Sequence, residues 1–469
     1  MKVRCFLWLW LLAACWLAGS SSAEAQQEVI DIGRRRELFV DRYLIDSMKN
    51  LRLQLHRPCR TEVVLRFDRP WEGETSAYVT VFKDGERYRM YYRASGQRGS
   101  KSWELTCVAE SRDGRHWTKP ELELHAFGKH RRTNIVLAVP PRQGTHNFAP
   151  FRDQNPNARP EARYKALAGA PLWAWGSPDG IHWKLLHKKP VITRGAFDSQ
   201  NVSFWDPNRG CYVAYFRIVR NGLRAVATAT SKDFIHWSQP QPIQVQQRPG
   251  EHFYTNATLL YFRAPHLYLA FPKRFFPSRR RLPEHPSSGI SDGVLLTSRD
   301  GLHFQREFPQ ALLRPGLEQR NWGDRSNMIA WGLVPTGKDE MSLYFSQHYR
   351  TSSAHIKRAA YRVDGLASLH AEATPGELVT KPLRFAGKRL LLNYSTSAFG
   401  SIRVEVLSAE GKPLPGYQLQ VAPELFGDAV DEPYPLYQGK RDFAPLAGKA
   451  VRLRFVLVDA DLYSFRFAD

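Results

Sequence analysis

The chain has 469 residues, 43% of them apolar, and a formal net charge of +22. A chain of this length buries a large core without disulfides, and beyond the first 25 residues only Cys59, Cys107 and Cys211 remain, so at most one bridge forms and a disulfide framework is excluded. Basic residues cluster only briefly, at Arg34-Arg35-Arg36, His130-Arg-Arg132 and Arg279-Arg280-Arg281, with no stripe on a recognisable nucleic-acid module. That leaves a solvated basic surface or an anionic substrate, such as a sulfated or uronic-acid glycan, which a basic cleft would concentrate.

The N-terminus reads as an export signal. Lys2 and Arg4 precede an apolar stretch from Phe6 to Ala18, and Ala23-Glu-Ala25 offers small residues for cleavage, so residues 1–25 are assigned as a signal peptide. Leu12-Ala-Ala-Cys15 keeps lipidation at Cys15 open as an alternative. No other segment is long and apolar enough to span a bilayer, so a secreted or periplasmic protein is expected. The apolar-rich run Glu37 to Ile45 belongs to a lead-in over about residues 37–60, expected to pack on or complete the last repeat.

Five near-copies of one phrase follow. Ser111-Arg-Asp113-Gly114-Arg-His-Trp117 recurs with Asp179-Gly180 and Trp183, with Asp233-Phe-Ile-His-Trp237, with Asp300-Gly301, and, eroded, with Asp364-Gly365. Asp-Gly between alternating runs marks a hairpin turn, because glycine accepts the positive φ that a tight turn imposes. The copies are spaced by roughly 55 to 65 residues, room for about four strands each, the size of a propeller blade. The prediction is an all-β chain: a five-bladed β-propeller over residues 26–372, then a small β-sandwich over 376–469, where strand-like runs continue without the repeat.

Inner strands of a propeller run the same way along its axis, so residues just before them line one mouth of the central funnel. Counting back from the repeats places Glu72 and Glu74 before blade one, and His146 and Asn147 before blade two. Asp198, Gln200 and Asn201 open blade three, Glu251, His252 and Tyr254 blade four, and Trp322, Asp324, Arg325 and Asn327 blade five. Several carboxylates around one pit suit glycoside hydrolysis, in which one carboxyl group protonates the leaving oxygen while another serves as base or nucleophile. Asp198 and Glu251 are the expected catalytic pair, with Glu72 as a third acid. Glu74, His146, Asn147, Gln200, Asn201, Tyr254, Trp322, Asp324 and Arg325 are expected to bind substrate, Arg325 through a hydroxyl or an anionic substituent. The repeated Asp113, Asp179, Asp233 and Asp300 are read as turn formers on the outer rim. No cofactor is expected; a metal ion in the axial channel near His146 stays open. A carbohydrate is the expected partner and nucleic acid is not. Gly-x-Ser-x-Gly and His-Glu-x-x-His stretches are absent.

Leu38-Phe-Val-Asp-Arg-Tyr-Leu-Ile45, Pro70-Trp-Glu-Gly73, Tyr88-Arg-Met-Tyr-Tyr-Arg93, Ser199-Gln-Asn-Val202, Tyr254-Thr-Asn-Ala257 and Asp459 to Phe467 carry a resemblance. The chain resembles the five-bladed β-propeller glycoside hydrolase superfamily of families 32, 43, 62, 68, 117 and 130, and more narrowly secreted, planctomycete-type family 32-like proteins. The resemblance implies catalytic acids at the starts of the first three inner strands, here Glu72 or Glu74, a blade-two residue, and Asp198. Two departures stand out: no Trp-Met-Asn-Asp-Pro-Asn-Gly stretch precedes blade one, and blade two begins with His146-Asn147 in place of an acid. A carbohydrate-binding propeller without turnover, and a phosphate-dependent phosphorylase, are the alternatives.

Overall fold

The computed structural model describes residues 28–98, 100–439 and 441–469; the expected signal peptide and Cys15 lie outside the described residues. Among the described residues there is no α-helix, only four short 3-10 turns, and no helix long and apolar enough to cross a membrane. Each blade is an antiparallel meander. Blade one comprises Ala77–Asp84, Arg87–Arg98, Lys101–Ser111 and Ile135–Leu137. Blade two comprises Ala149–Arg152, Tyr164–Ala168, Trp173–Ser177 and Lys184–Leu185. Blade three is built from Val202–Asp206, Cys211–Arg220, Leu223–Ser231 and Gln241–Pro242. In blade four, Leu259–Tyr261, Ala264–Ala270, Leu296–Ser298 and Phe304–Gln305 make the sheet, and a second small sheet of His252–Phe253, Lys273–Phe276 and Ile290–Gly293 is added.

Blade five closes the ring. Its strands Met328–Pro335, Glu340–Gln347 and His355–Arg362 come from the end of the repeats, but its outer strand is Arg60–Arg66, paired from His355–Arg66 to Ala360–Arg60 with one register shift between Ile356 and Lys357. Fully buried Arg358 fastens that strand, donating to Glu62 at 2.6 Å and to Glu340 on the other side. Ring closure therefore uses a segment just beyond the expected lead-in. The lead-in itself goes elsewhere: Ile30–Gly33, Glu37–Leu38, Ile45–Lys49 and Leu51–Leu55 pair with strands after residue 366. The reason is apolar matching, since Ile32, Phe39, Leu44 and Ile45 join the core formed by Leu390, Phe455, Phe465 and Phe467. Two long strands, Arg389–Ser408 and Val451–Ala468, form the spine of this second β unit.

The repeated turns do more than reverse the chain. In the first copy Ser111 Oγ accepts from the Gly114 N–H at 2.9 Å, while Asp113 Oδ1 accepts from the N–H groups of Arg115 and His116 at 2.8 and 2.9 Å. The same bonds recur around Asp179, Asp233 and Asp300. Each glycine carbonyl is then held by the neighbouring blade: Tyr344 donates to Gly114 O at 2.6 Å, Tyr91 to Gly180 O at 2.8 Å, and Tyr215 to Gly301 O at 2.7 Å. Gly114 is required twice over, by its φ of +71° and because a Cβ there would stand 2.9 Å from the Tyr344 hydroxyl. Cys59, Cys107 and Cys211 are all free thiols.

Two outcomes are expected. Tyr344→Phe should cost about 1 kcal/mol in chemical unfolding, and Gly114→Ala about 1–3 kcal/mol, because a side chain is forced into the left-handed region; equal stability to wild type in both would show that the clasp is idle. The second outcome concerns acid. Burial raises the pKa of Asp113, Asp179, Asp233 and Asp300, but their backbone N–H donors and the adjacent histidines override it and hold all four carboxyls below the ordinary value of 3.8. A depressed folded-state pKa contributes stability above the unfolded value that is lost as pH falls through the folded one. Melting temperature should therefore drop between about pH 4 and pH 2, and drop less steeply with all four aspartates changed to asparagine.

Candidate active site

The inner strands converge as expected, and their starts bring His146, Asp198, Tyr254, Asp324 and Arg325 to one mouth. Middle strands run antiparallel to inner ones, so their ends reach the same mouth: Arg93 on blade one, Arg217 on blade three, Lys273 after the blade-four strand, and Tyr349-Arg350 after the blade-five strand. Third strands begin there too, contributing Glu104 and Arg224.

His146 is the hinge of the constellation. Its Nδ1 lies 2.8 Å from Glu104 Oε2 and its Nε2 2.8 Å from Asp198 Oδ1, so one imidazole bridges carboxylates from blades one and three. Burial lowers the pKa of His146, but the hydrogen bonds to Asp198 and Glu104 prevail and raise it above its ordinary 6.5. Burial likewise opposes ionisation of Asp198, yet His146, Arg217 and Arg325 together bring its carboxyl down to about 2. The Asp198 side chain is 64% exposed and lies 3.6 Å from Arg217. An accessible carboxylate that stays ionised at neutral pH is suited to act as a base or nucleophile.

Around this pair sit aromatic rings and cations. Arg93 is buried over the Tyr78 ring at 4.6 Å and donates to the Tyr349 hydroxyl at 3.1 Å. Buried Asp324 lies 3.4 Å from Arg350 and 3.5 Å from Arg325. Tyr78, Arg325 and Arg350 all adopt φ between 52° and 65°, a conformation that bulky side chains rarely hold unless their surroundings impose it.

Several expected site residues stand apart. Glu251 is fully buried and gripped by Arg306 through two bonds of 2.6 and 2.8 Å, with the Arg248 N–H adding a third. It does not join Asp198, because the blade-four inner strand starts only at Leu259 and Glu251 abuts the added sheet instead. Glu72 accepts from Lys119 at 2.6 Å and from the Tyr92 hydroxyl at 2.5 Å, a closed structural contact. Asn147 pins Gly169 and Phe197 to each other, Asn201 holds the carbonyls of Phe197 and Ser199, and Gln200 crosses the channel to Val79 O at 2.8 Å. Asn327, also buried, donates to the carbonyls of Ser291 and Asn321. Trp322, on a 3-10 turn, donates to Gly316 O. Glu74 is exposed at the rim, its carbonyl accepting from the Arg350 N–H at 2.7 Å. Among the described residues no three His, Cys, Asp or Glu side chains are grouped to hold a metal ion.

Glu104, Arg93, Arg217, Arg224, Lys273, Tyr78, Tyr349 and Arg350 were not legible from inner-strand starts. A signal did exist: Tyr91-Tyr92-Arg93 and Tyr215-Phe216-Arg217 lie within their middle strands, and Phe271-Pro272-Lys273 follows the blade-four one, each with an aromatic residue ahead of a basic one. The opposite end of the ring holds an apolar cavity of about 490 Å³ lined by Phe82, Phe151, Trp205, Phe262 and Trp331. Its one carboxylate, Asp153, is tied to Lys165 and Tyr212.

Histidine titration by NMR checks the bridge. His146 should titrate above 6.5 in the wild type and fall in both Asp198→Asn and Glu104→Gln. Its raised pKa implies a stabilising contribution that is complete below pH 6.5 and lost as pH rises through the folded-state value. A His146 titration unmoved by either variant would break the electrostatic account of the site.

No family model matches the chain, and no curated protein matches it. Among solved structures it is similar to a glycoside hydrolase at 13% identity and a TM-score of 0.44, over 68% of this chain and 92% of that one. It is also similar to a glycoside hydrolase family 43 arabinoxylan arabinofuranohydrolase from Bacillus subtilis, at 11% identity and a TM-score of 0.41, over 84% of this chain and 96% of that one. A β-1,2-mannobiose phosphorylase from Listeria innocua matches at 12% identity and a TM-score of 0.44, over 66% and 93%. At these identities the likeness concerns the fold alone.

Proposed function

We propose that the protein is a secreted glycoside hydrolase that cleaves a poly- or oligosaccharide at the His146 mouth of the propeller. The observation that carries this reading is Asp198: exposed, ionised, and oriented by an imidazole that Glu104 holds from behind. In the proposed reaction Asp198 takes the proton of the attacking water or attacks the anomeric carbon itself. Asp324, just before the inner strand of blade five, takes the place first expected for Glu251 as the second carboxyl group, beside Arg325 and Arg350. Half-buried Arg325, beside the buried rings of Tyr78, Tyr254 and Tyr349, positions the sugar. Glycosidic cleavage needs two such carboxyl groups on either side of the scissile bond.

A second reading, carbohydrate binding without turnover, draws on the neutralisation of Glu72 by Lys119 and of Glu251 by Arg306, which removes two acids from the mouth. Sugar release from a panel of neutral, uronic-acid and sulfated polysaccharides separates the two. Wild type should release sugar, and Asp198→Asn and Asp324→Asn should each lose about 10²–10⁴-fold in kcat, while Glu251→Gln should act through stability alone. Binding to a glycan without release by wild type would sink the hydrolase reading in favour of the second.

A further inference from the structure

The ring of Tyr254 is surrounded by basic side chains drawn from three strands and from the turn before blade five. Lys273 Nζ lies 3.7 Å from its centroid, and the guanidinium carbons of Arg217, Arg224 and Arg325 lie 4.9, 5.1 and 5.4 Å away. Lys273 is 0% exposed, and its Nζ, Arg217 Nη1 and Arg325 Nε have no hydrogen-bond partner among the described residues. Burial drives the Lys273 amine well below the ordinary lysine range; Asp324 works against this, and Arg325, Arg217 and Arg224 reinforce it.

Carboxylates do not balance these charges. Among the described residues, Arg93, Arg217, Arg224, Arg325 and Arg350 share the mouth with Glu104, Asp198 and Asp324 and, at the rim, Glu74, and Glu104 is already engaged by His146 and Arg93. Crowded like charges repel, and the quadrupole of one phenol ring offsets only part of that repulsion. The loop carrying Arg279-Arg280-Arg281 adds more positive charge beside the mouth, where His285 Nε2 lies 3.2 Å from the Tyr349 carbonyl. An oxyanion set among the guanidinium groups would relieve the repulsion and give their open N–H groups an acceptor.

We propose that Arg217, Arg224 and Arg325, backed from beneath by Lys273, form a subsite for an oxyanion borne by the sugar substrate, a uronate carboxylate or a sulfate ester. The subsite rests on the carbohydrate reading above and names its substrate class. Arg217 also touches Asp198, so the anionic group would sit next to the proposed base and place the scissile bond against it.

The test is calorimetric titration of the intact protein with D-glucuronate, glucose 6-sulfate, inorganic phosphate and glucose, at low and high NaCl. Glucuronate or glucose 6-sulfate should bind, glucose should not, and affinity should fall as salt rises; which of the two binds more tightly identifies the source of the oxyanion. Arg217→Gln and Arg325→Gln should each weaken binding about tenfold or more without changing the melting temperature beyond a few degrees. Lys273→Met, with its fold checked by thermal melting, should weaken it as well. Equal binding of glucose and glucuronate, unchanged affinity in both arginine variants, or binding of phosphate alone would overturn the subsite. Release of a neutral sugar with no binding of either sugar anion would remove the subsite and leave the hydrolase reading standing. Anion binding with no release from any glycan would do the reverse.

Discussion

Tyrosine hydroxyls from one blade closing on the glycine carbonyls of the next are the contacts on which the ring depends. Tyr91, Tyr215 and Tyr344 are all fully buried, and each delivers its proton to a turn that the local Ser-x-Asp-Gly sequence has already shaped. The turn pre-orients the carbonyl, so little entropy is lost in making the contact. Tyr344 to Gly114 spans 230 residues and joins the last blade to the first. The third copy, with Phe234 in place of glycine, shows the alternative: its ring packs against Phe151 and Tyr212, and apolar contact replaces the hydroxyl clasp.

Once neighbouring blades are locked, the funnel mouth follows from strand direction. Inner strands start there, middle strands end there and third strands begin there, so each blade delivers side chains from three strands to a small area. Blade one supplies Tyr78, Arg93 and Glu104, and blade three supplies Asp198, Arg217 and Arg224. Groups that would avoid one another on an open surface are forced together, and the strained φ values of Tyr78, Arg325 and Arg350 accompany that crowding.

The second β unit is bound to the propeller by a buried polar hub. Asp364, fully buried in the eroded fifth repeat, accepts from the Tyr261 hydroxyl at 2.5 Å, from Arg263 at 2.8 Å and from Ser464 at 2.7 Å, with Arg36 at 3.3 Å. The fifth turn has thus exchanged the rim role of its sisters for an attachment between the two units. Arg299, just ahead of the Asp300 turn, reaches Glu37 and Asp41 at 2.7 and 3.1 Å, so the N-terminal strands are tied to blade four as well. That is why the lead-in segment serves the junction and leaves ring closure to Arg60–Arg66.

Reading the chain alone was enough for what short-range chemistry dictates. The Asp-Gly turns are determined by bonds spanning two or three residues, so the repeats, the all-β class and the rim role of Asp113 and its counterparts were legible. So was the placement of His146, Asp198, Tyr254, Asp324 and Arg325 at the mouth, because each precedes its blade's inner strand by three to five residues. Tertiary structure decided which acids remain available. Glu251 and Glu72 look like any pre-strand acid, but Arg306 and Lys119 neutralise them from 55 and 47 residues away. It also decided that Arg93, Arg217 and Lys273 point to the mouth and that Glu104 backs His146, since those contacts exist only between strands and blades. A turn forms from its own few residues, whereas the ionisation and reach of a side chain depend on charges and burial that the chain supplies only after it has folded.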